Sequence, residues 1–217
     1  MIRNAFGELI GALLLTACVV GSGIMAERLA GGNAAVALLA NTFATVAVLA
    51  VLIAHFGPVT GAHFNPVVTG VALVSGQIRG RTATSYVVAQ IVGCCAGAML
   101  ANEMFDLPLL QTSTHVRSGM TQLLSEVVAT SGLVFIAFRS ASISQAAWRV
   151  PLWIGAAYWF TASTSFANPA ITIGRALSDT FAGIRPADVL GFITAQLIGG
   201  VVGIALLRVF DARRVPE

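Results

Sequence analysis

Two stretches of the sequence determine the architecture: GAHFNPVVT at residues 61–69 and SFANPAIT at residues 165–172. Each contains Asn followed by Pro, a pattern typical of a helix start, because Asn is a favoured N-cap and Pro is favoured at the first helical position. Each opens a short apolar segment, over 66–76 and 169–178. About ten residues give ~15 Å of helix, which is half the thickness of a bilayer core. Both segments are therefore predicted to be re-entrant half-helices.

The composition indicates that the chain lies in a membrane. Of its 217 residues, 57% are hydrophobic and only 10% are charged, and the mean hydropathy is +0.86. Soluble domains carry about 25% charged residues. All Lys and Arg positions are Arg, and they are scattered, which argues against nucleic-acid binding. There is no metal-ligand spacing and no nucleophile–base pair, so the sequence predicts neither an enzyme nor a cofactor.

Six further apolar segments are long enough to cross the hydrocarbon, which takes about 20 residues. They lie at residues 5–26, 34–56, 83–101, 121–139, 149–166 and 187–208. The predicted fold class is an all-α membrane protein with six transmembrane helices and two re-entrant half-helices. We therefore expect the lipid bilayer to surround the protein.

The distribution of arginine predicts the orientation, because cytoplasmic connections are enriched in basic residues. With the N-terminus inside, the inner side carries eight of the 12 arginines: Arg3, Arg79, Arg81, Arg139, Arg149, Arg208, Arg213 and Arg214. The outer side carries the other four: Arg28, Arg117, Arg175 and Arg185. We therefore expect a multi-pass protein of the cell's inner (plasma) membrane with both termini in the cytoplasm.

The two halves of the sequence repeat each other. Three matching pairs mark the repeat: Glu8 and Glu126, Asn65 and Asn168, Gln90 and Gln196. Each half, about 1–110 and about 118–217, holds three spans and one half-helix, so the second half is inverted in the membrane. Neither half can bury its polar groups alone, which predicts one membrane domain over residues 1–217. Inverted repeats place a shared site near the midplane of the bilayer.

These features together resemble the major intrinsic protein family, the aquaporins and aquaglyceroporins. The resemblance is carried by both Asn-Pro motifs, the paired glutamates and glutamines, and the lead-in at residues 61–64. It implies a right-handed bundle whose half-helices meet head to head at the bilayer centre, usually in a homotetramer with one pore per subunit. The implied pore centre has six residues: Asn65, Pro66, Val67, Asn168, Pro169 and Ala170.

The resemblance also implies roles for residues around this centre. Glu8 and Glu126 are expected to hold the re-entrant loops by accepting backbone N–H bonds, since an ionisable group inside a span is otherwise unfavourable. His63 matches a pore-side histidine of the family, and a structural histidine is the competing interpretation. Val67 replaces the usual Ala and is expected to tighten the packing of the half-helices and to narrow the centre slightly.

The physics of the two helix starts favours a channel for neutral solutes. A helix N-terminus carries roughly half a positive charge, so two of them facing a pore repel cations, including hydronium. The amides of Asn65 and Asn168 would donate to a passing water and interrupt a proton wire. Ions would lose their hydration without a compensating charge. The predicted function is therefore passive conduction of water and small neutral solutes.

The predicted selectivity filter departs from the family. The residue after the second Asn-Pro-Ala is usually Arg in the family, and here it is Ile171. Carrying over the other positions without gaps gives Thr45, Ser165 and, on the fifth span, Ala156 or its neighbour Ala157. This ring is wider and less polar than one with Arg, His or aromatic groups, which favours glycerol, urea or arsenite-like metalloid acids. Residues 172–183 are similar to a bacterial branch of the family linked to arsenic resistance.

Arg175 has two interpretations from the sequence. It follows Ile171 by four residues and shares its helix face, so it could reach the outer vestibule and supply the missing positive charge. Alternatively, it forms an ion pair at the rim with Asp179, which lies four residues further along.

Three other functions compete with the predicted one. A water-selective aquaporin would share the fold and have a narrow filter. A coupled secondary transporter also uses inverted repeats and broken helices, but it needs an ion or substrate site at the midplane. The asparagines are the only polar groups that the sequence places there. An anion channel would use the two positive helix ends to attract its ions.

Overall fold

The computed structural model describes residues 2–211, which form eight α-helices. Their bounds are α1 Ile2–Leu29, α2 Ala34–Thr60, α3 Pro66–Val74, α4 Gly80–Met104, α5 Met120–Arg139, α6 Ile143–Phe160, α7 Pro169–Arg175 and α8 Pro186–Asp211. Each half of the chain has the predicted order of two long helices, one short helix and one long helix. Arg213 and Arg214, which contributed to the predicted orientation, lie outside the described residues.

Five of the long helices are long and apolar enough to cross a membrane by length and composition: α1, α2, α4, α5 and α8. The sixth, α6, has 18 residues, or ~27 Å of helix at 1.5 Å per residue, close to the ~30 Å of the hydrocarbon. Large apolar side chains such as Phe43, Leu152 and Val201 are exposed on the outer surfaces of the helices. Such surfaces are suited to lipid.

α6 begins six residues earlier than predicted, at Ile143 rather than at residue 149. The Ser142 hydroxyl caps the helix by accepting a hydrogen bond from the backbone N–H of Gln145 at 3.2 Å. Hydropathy alone does not reveal such a start. The helix ends at Phe160, and residues 161–168 form the loop that leads into α7. The prediction had assigned most of this loop to the span.

The two half-helices begin where the Asn-Pro motifs predict. The side-chain oxygen of Asn65 accepts the backbone N–H two residues later at 2.9 Å, and that of Asn168 does the same at 3.0 Å. α3 has nine residues and α7 has seven, which is two and three fewer than predicted. Both helices are too short to cross the hydrocarbon.

The long helices of each half pack closely through a matching glycine. A Cβ at Gly97 of α4 would overlap the Leu13 carbonyl of α1. A Cβ at Gly203 of α8 would lie 3.0 Å from the Ser131 carbonyl of α5. Each glycine lies seven residues after the glutamine that marks the repeat. Small residues at these crossings let the backbones approach, and this brings the first helix of each half close to the loop that precedes its half-helix.

Candidate functional site

The tips of the two half-helices meet at a pair of reciprocal hydrogen bonds. Asn65 Nδ2 donates to the Ala167 carbonyl at 2.7 Å, and Asn168 Nδ2 donates to the Phe64 carbonyl at 2.8 Å. Each asparagine therefore caps its own helix with its oxygen and binds the opposite loop with its amide. An amide carries two donor hydrogens, and both asparagines line one cavity. The structure thus brings the two predicted donors together.

The loops before the half-helices contain residues in the left-handed region. Phe64 and Ala167, directly before the asparagines, have φ of 49° and 48°. Non-glycine residues there are uncommon, and each costs of order 1–3 kcal/mol. In this conformation the carbonyls of Phe64 and Ala167 accept from the opposite asparagines. Backbone strain is therefore concentrated where the two tips meet.

Glu8 holds the first of these loops. It is fully buried, and its carboxylate accepts the backbone N–H of His63 at 3.0 Å and that of Phe64 at 2.7 Å. The Thr60 hydroxyl and the Gln90 side-chain amide donate to it at 2.7 Å and 2.8 Å. Four donors satisfy this buried carboxylate, which has no cationic group within 4.0 Å among the described residues.

Glu126 holds the second loop in the same way. It is fully buried and accepts the backbone N–H of Phe166 at 2.9 Å and that of Ala167 at 2.8 Å. The Ser163 hydroxyl and the Gln196 side-chain amide donate to it at 2.6 Å and 2.7 Å. The arrangement repeats that of Glu8 donor for donor, so both glutamates occupy positions suited to the loop-holding role expected from the resemblance.

A cavity of about 450 Å³ lies around the meeting point of the two half-helices. Polar residues line it at the predicted inner end, in the middle and at the predicted outer end. These include, in that order, Gln77, Ser140 and Ser142, then Asn65 and Asn168, then Ser165 and Arg175. Much of the remaining wall is apolar and includes Leu49, Ile53, Val150 and Ile154. One polar line along an apolar wall suits a small hydrogen-bonding solute.

Three of the four predicted filter residues line this cavity: Thr45, Ser165 and Ile171. The prediction of Ala156 is wrong. Ala156 is exposed on the outer surface of α6, whereas Ile154 and Tyr158 line the cavity. Successive helix residues are turned by about 100°, so Ala156 lies nearly opposite both of them. Carrying the family position over without gaps had placed it on the wrong face.

Tyr158 is a cavity residue that the sequence prediction missed. It is buried, and its hydroxyl lies 3.3 Å from Thr45 Oγ1, which links α6 to α2 at the predicted filter. The i, i+4 spacing from Val150 through Ile154 to Tyr158 could have identified it. All three residues lie inside the span predicted over 149–166, so this spacing was already present in the sequence.

Arg175 lies in the outer part of the cavity and not at the rim. It is buried, and its guanidinium stacks on the Phe166 ring with 3.4 Å from Cζ to the ring centroid. Its Nε donates to the Ala182 carbonyl. Asp179 instead accepts the Thr114 backbone N–H at 2.7 Å. The predicted alternative, an Arg175–Asp179 ion pair, is therefore wrong.

Four of the six predicted pore-centre residues lie behind the cavity wall: Pro66, Val67, Pro169 and Ala170. Val67 clusters with Val71 and Val134 and faces Gly200 of α8. Its larger side chain therefore fills space between α3 and its neighbours. The expectation that Val67 narrows the centre is wrong, because the side chain points away from the cavity.

His63 lines the cavity and also has internal partners. Its Nδ1 lies 3.1 Å from Thr69 Oγ1, and its ring meets Tyr86 edge to face with 5.5 Å between the centroids. These contacts fix the orientation of the ring. Both interpretations from the sequence are compatible with this position.

Comparison with known proteins agrees with this geometry. A profile of the family described as "Major intrinsic protein" matches residues 1–162 and 140–215. The chain is 50% identical over 208 residues to aquaglyceroporin AqpS from Rhizobium meliloti (strain 1021), covering 95% of this chain and 89% of that protein. It is 32% identical over 192 residues to aquaporin A from Dictyostelium discoideum, covering 81% and 68%.

The same agreement holds for solved structures. The X-ray structure of the aquaglyceroporin from Plasmodium falciparum matches with a TM-score of 0.74 over 99% of this chain and 97% of that chain. The sequence identity is 18%, so this match speaks to the fold alone. It confirms the predicted fold class.

Proposed function

The chain belongs to the major intrinsic protein family, and from that premise we propose that it is a passive transmembrane channel for water and small neutral solutes such as glycerol. One observation carries the proposal: Asn65 and Asn168 line a single cavity, each anchored to the opposite loop. A channel of this kind catalyses no reaction. Its selectivity comes from the groups that line the cavity.

The asparagine pair provides the central selection step. Each amide uses one hydrogen for the opposite loop and can offer the second to a solute oxygen. The positive ends of α3 and α7 lie at the same place and repel cations. A water that accepts from both amides orients its own hydrogens away from them, which interrupts a proton wire. Neutral solutes with hydroxyl or amide groups can exchange hydration for these contacts.

The filter region supports solutes larger than water. Ile171 takes the place of the usual arginine, and Thr45 and Ser165 are small. We propose glycerol, urea and arsenite-like metalloid acids as the solute range. A wider and less polar ring discriminates weakly among small uncharged molecules.

Arg175 supplies, in this proposal, the positive charge that Ile171 lacks. It lines the same cavity one helical turn further out. A cation entering from that side would meet a buried guanidinium, whereas a neutral solute could accept a hydrogen bond from it.

We further propose a single membrane domain of two inverted repeats, assembled as a homotetramer in the inner (plasma) membrane with both termini in the cytoplasm. The paired environments of Glu8 and Glu126 support the repeat. Basic residues such as Arg79, Arg81 and Arg139 at one end of the bundle support the orientation. Cross-linking in native membranes and the accessibility of terminal tags test these two points.

Light scattering on proteoliposomes tests the function directly. Purified protein should accelerate shrinkage in sucrose and re-swelling in glycerol, urea or arsenous acid, with rates that rise linearly with solute concentration. Asn168→Ala should lower all of these rates. Asn33→Ala is a matched control, because Asn33 also caps a helix, through 3.1 Å and 3.2 Å bonds, but is exposed outside the cavity.

Two results would contradict the proposal. Solute flux that saturates and depends on a sodium or proton gradient would indicate a coupled transporter. A steady ionic current in planar bilayers that accounts for the flux would indicate an ion channel.

A further inference from the structure

Two buried arginines occupy the outer end of the bundle without an acidic partner. Arg175 is 3% exposed and Arg117 is 8% exposed. Among the described side chains, no carboxylate oxygen lies within 4.0 Å of either guanidinium. Both guanidinium groups lie over the Phe166 ring, with Cζ at 3.4 Å and 5.0 Å from its centroid. A buried charge without a partner is unfavourable, so this region favours a ligand that carries negative charge.

The two arginines contribute differently. Arg117 donates through Nε to the Gly183 carbonyl at 2.7 Å and through Nη2 to the Phe181 carbonyl at 3.2 Å. These bonds fix Arg117 in the wall, where it supplies positive charge but makes little direct contact with a ligand. Burial lowers the pKa of Arg117 to about 10, which leaves it protonated at neutral pH.

Arg175 faces the cavity itself. Within the described part of the chain, only its Nε has a protein acceptor, the Ala182 carbonyl. A guanidinium has five N–H donors in a planar fork. The terminal nitrogens are therefore available to a ligand in the cavity.

Ser165 gives an independent indication of a ligand at this place. Its side chain is 2% exposed and lines the cavity, and its Oγ has no hydrogen-bond partner among the described residues. A buried hydroxyl without a partner is uncommon. The hydroxyls of Thr45 and Tyr158 lie in the same cavity, 3.3 Å from each other. This part of the cavity thus presents several donors, and none of the described residues that line it is a carboxylate.

We propose that the outer part of the cavity binds one small monovalent oxyanion, and that an anion held there blocks the path. A planar oxyanion fits the fork of Arg175 through two parallel N–H···O bonds, and the Ser165 hydroxyl supplies a further donor. The charge of Arg175 holds the anion in the outer part. Further in, the wall has the apolar side chains of Leu49, Ile53 and Ile154, and the asparagine amides offer only neutral donors, so the anion is held and not passed. The block rests on the proposed function, since anion and solute compete for one path.

Nitrate is the probe for this site. Glycerol uptake into proteoliposomes is measured with sodium nitrate replacing sodium gluconate on both sides of the membrane, at constant osmolarity and ionic strength. We expect a saturable loss of glycerol flux, with half of the flux lost when the nitrate concentration equals its dissociation constant. Protein-free liposomes show whether nitrate alters the bilayer itself.

Variants assign the effect to the site. Arg175→Gln should abolish the nitrate effect, and Arg175→Lys should weaken it because the fork is lost. Ser165→Ala, a smaller change, should raise the nitrate concentration needed for half block. Arg28→Gln is the matched control, because Arg28 is also on the outer side but is exposed and donates to the Phe105 carbonyl. Its nitrate response should equal that of the unaltered protein.

The outcomes separate the two proposals. No glycerol flux in gluconate contradicts the channel function. Normal flux in gluconate that nitrate leaves unchanged overturns the anion site. If Arg175→Gln fails to fold, Ser165→Ala decides, and a half-block concentration equal to that of the unaltered protein would count against the site.

Discussion

Val67 of α3 lies against Gly200 of α8, where a Cβ on the glycine would be only 2.7 Å from Val67 Cγ1. The family usually has Ala at the first of these positions, so the larger side chain and the missing one form a complementary pair. Gly200 is buried in the interior of a long helix. The contact sets how closely α3 can approach α8, and thus the position of Asn65 at the tip of α3.

Gly200→Ala should therefore destabilise the protein through overpacking, by about 1–3 kcal/mol. Val67→Ala should relieve most of that effect, so the double variant is more stable than Gly200→Ala alone. The stability of all three variants is measured by their melting temperatures in detergent. Gly70→Ala is the control, since a Cβ there meets no atom within 4 Å. Gly31→Ala is unsuitable, because Gly31 has φ of 56° and alanine would be strained there. Strictly additive effects of Val67→Ala and Gly200→Ala would contradict the pairing.

A second prediction concerns the buttress of the second loop. In Glu126→Gln, an NH₂ group replaces a carboxylate oxygen that accepts a hydrogen bond from the loop. The new N–H groups then face the backbone N–H of the loop, and neither can accept from the other. Hydrogen bonds to charged groups contribute roughly 1.5–3 kcal/mol each. We expect a lower melting temperature and a lower glycerol flux per molecule. Glu103→Gln, on an exposed carboxylate near the end of α4, should change neither. An unaltered melting temperature in Glu126→Gln would show that the loop is held by other contacts.

The sequence predicted the features that depend on local or repeated chemistry. Asn before Pro determined the start of each half-helix, because the N-cap and the first helical position are set by those two residues. A glutamate inside an apolar span required donors, and the loop of the same half supplied them. The apolar lengths identified six spans.

The sequence failed where the answer depended on register. The bounds of α6 were wrong because Gln145 and Arg149 lower the hydropathy of its first turns, while Phe166 raises that of the loop that follows. The wrong face for Ala156 has a different source, because the family positions were carried over to α6 without gaps. The acceptor of Arg175 is the backbone carbonyl of Ala182, and a carbonyl in an irregular loop has no sequence signature.

A third prediction concerns the residue that replaces the family's usual arginine. Ile171→Arg adds a long charged side chain to the cavity beside Thr45 and Ser165. Glycerol flux should fall strongly and water flux should fall less, because a narrowed filter excludes the larger solute first. Ile171→Val, which keeps the apolar character, should preserve both. Light scattering in sucrose and in glycerol gives the two rates. Equal glycerol flux in the Arg variant and the unaltered protein would remove Ile171 from the filter.

The last prediction uses two residues of α6 that differ only in the face they occupy. Tyr158 is buried in the cavity wall and lies 3.3 Å from Thr45 through its hydroxyl, whereas Ala156 is exposed on the outer surface. Tyr158→Phe keeps the ring and removes the link to α2, which leaves the Thr45 hydroxyl free to bind a solute. We expect a changed ratio of glycerol to water permeability with little loss of stability.

Ala156→Val is the matched control on the same helix. A larger apolar side chain on a lipid-facing surface should leave both permeabilities unchanged, since it touches neither the cavity nor a polar group. The ratio of permeabilities is the informative readout, because general damage to the fold lowers both rates together. If Ala156→Val shifts the ratio and Tyr158→Phe does not, α6 presents Ala156 and not Tyr158 to the path.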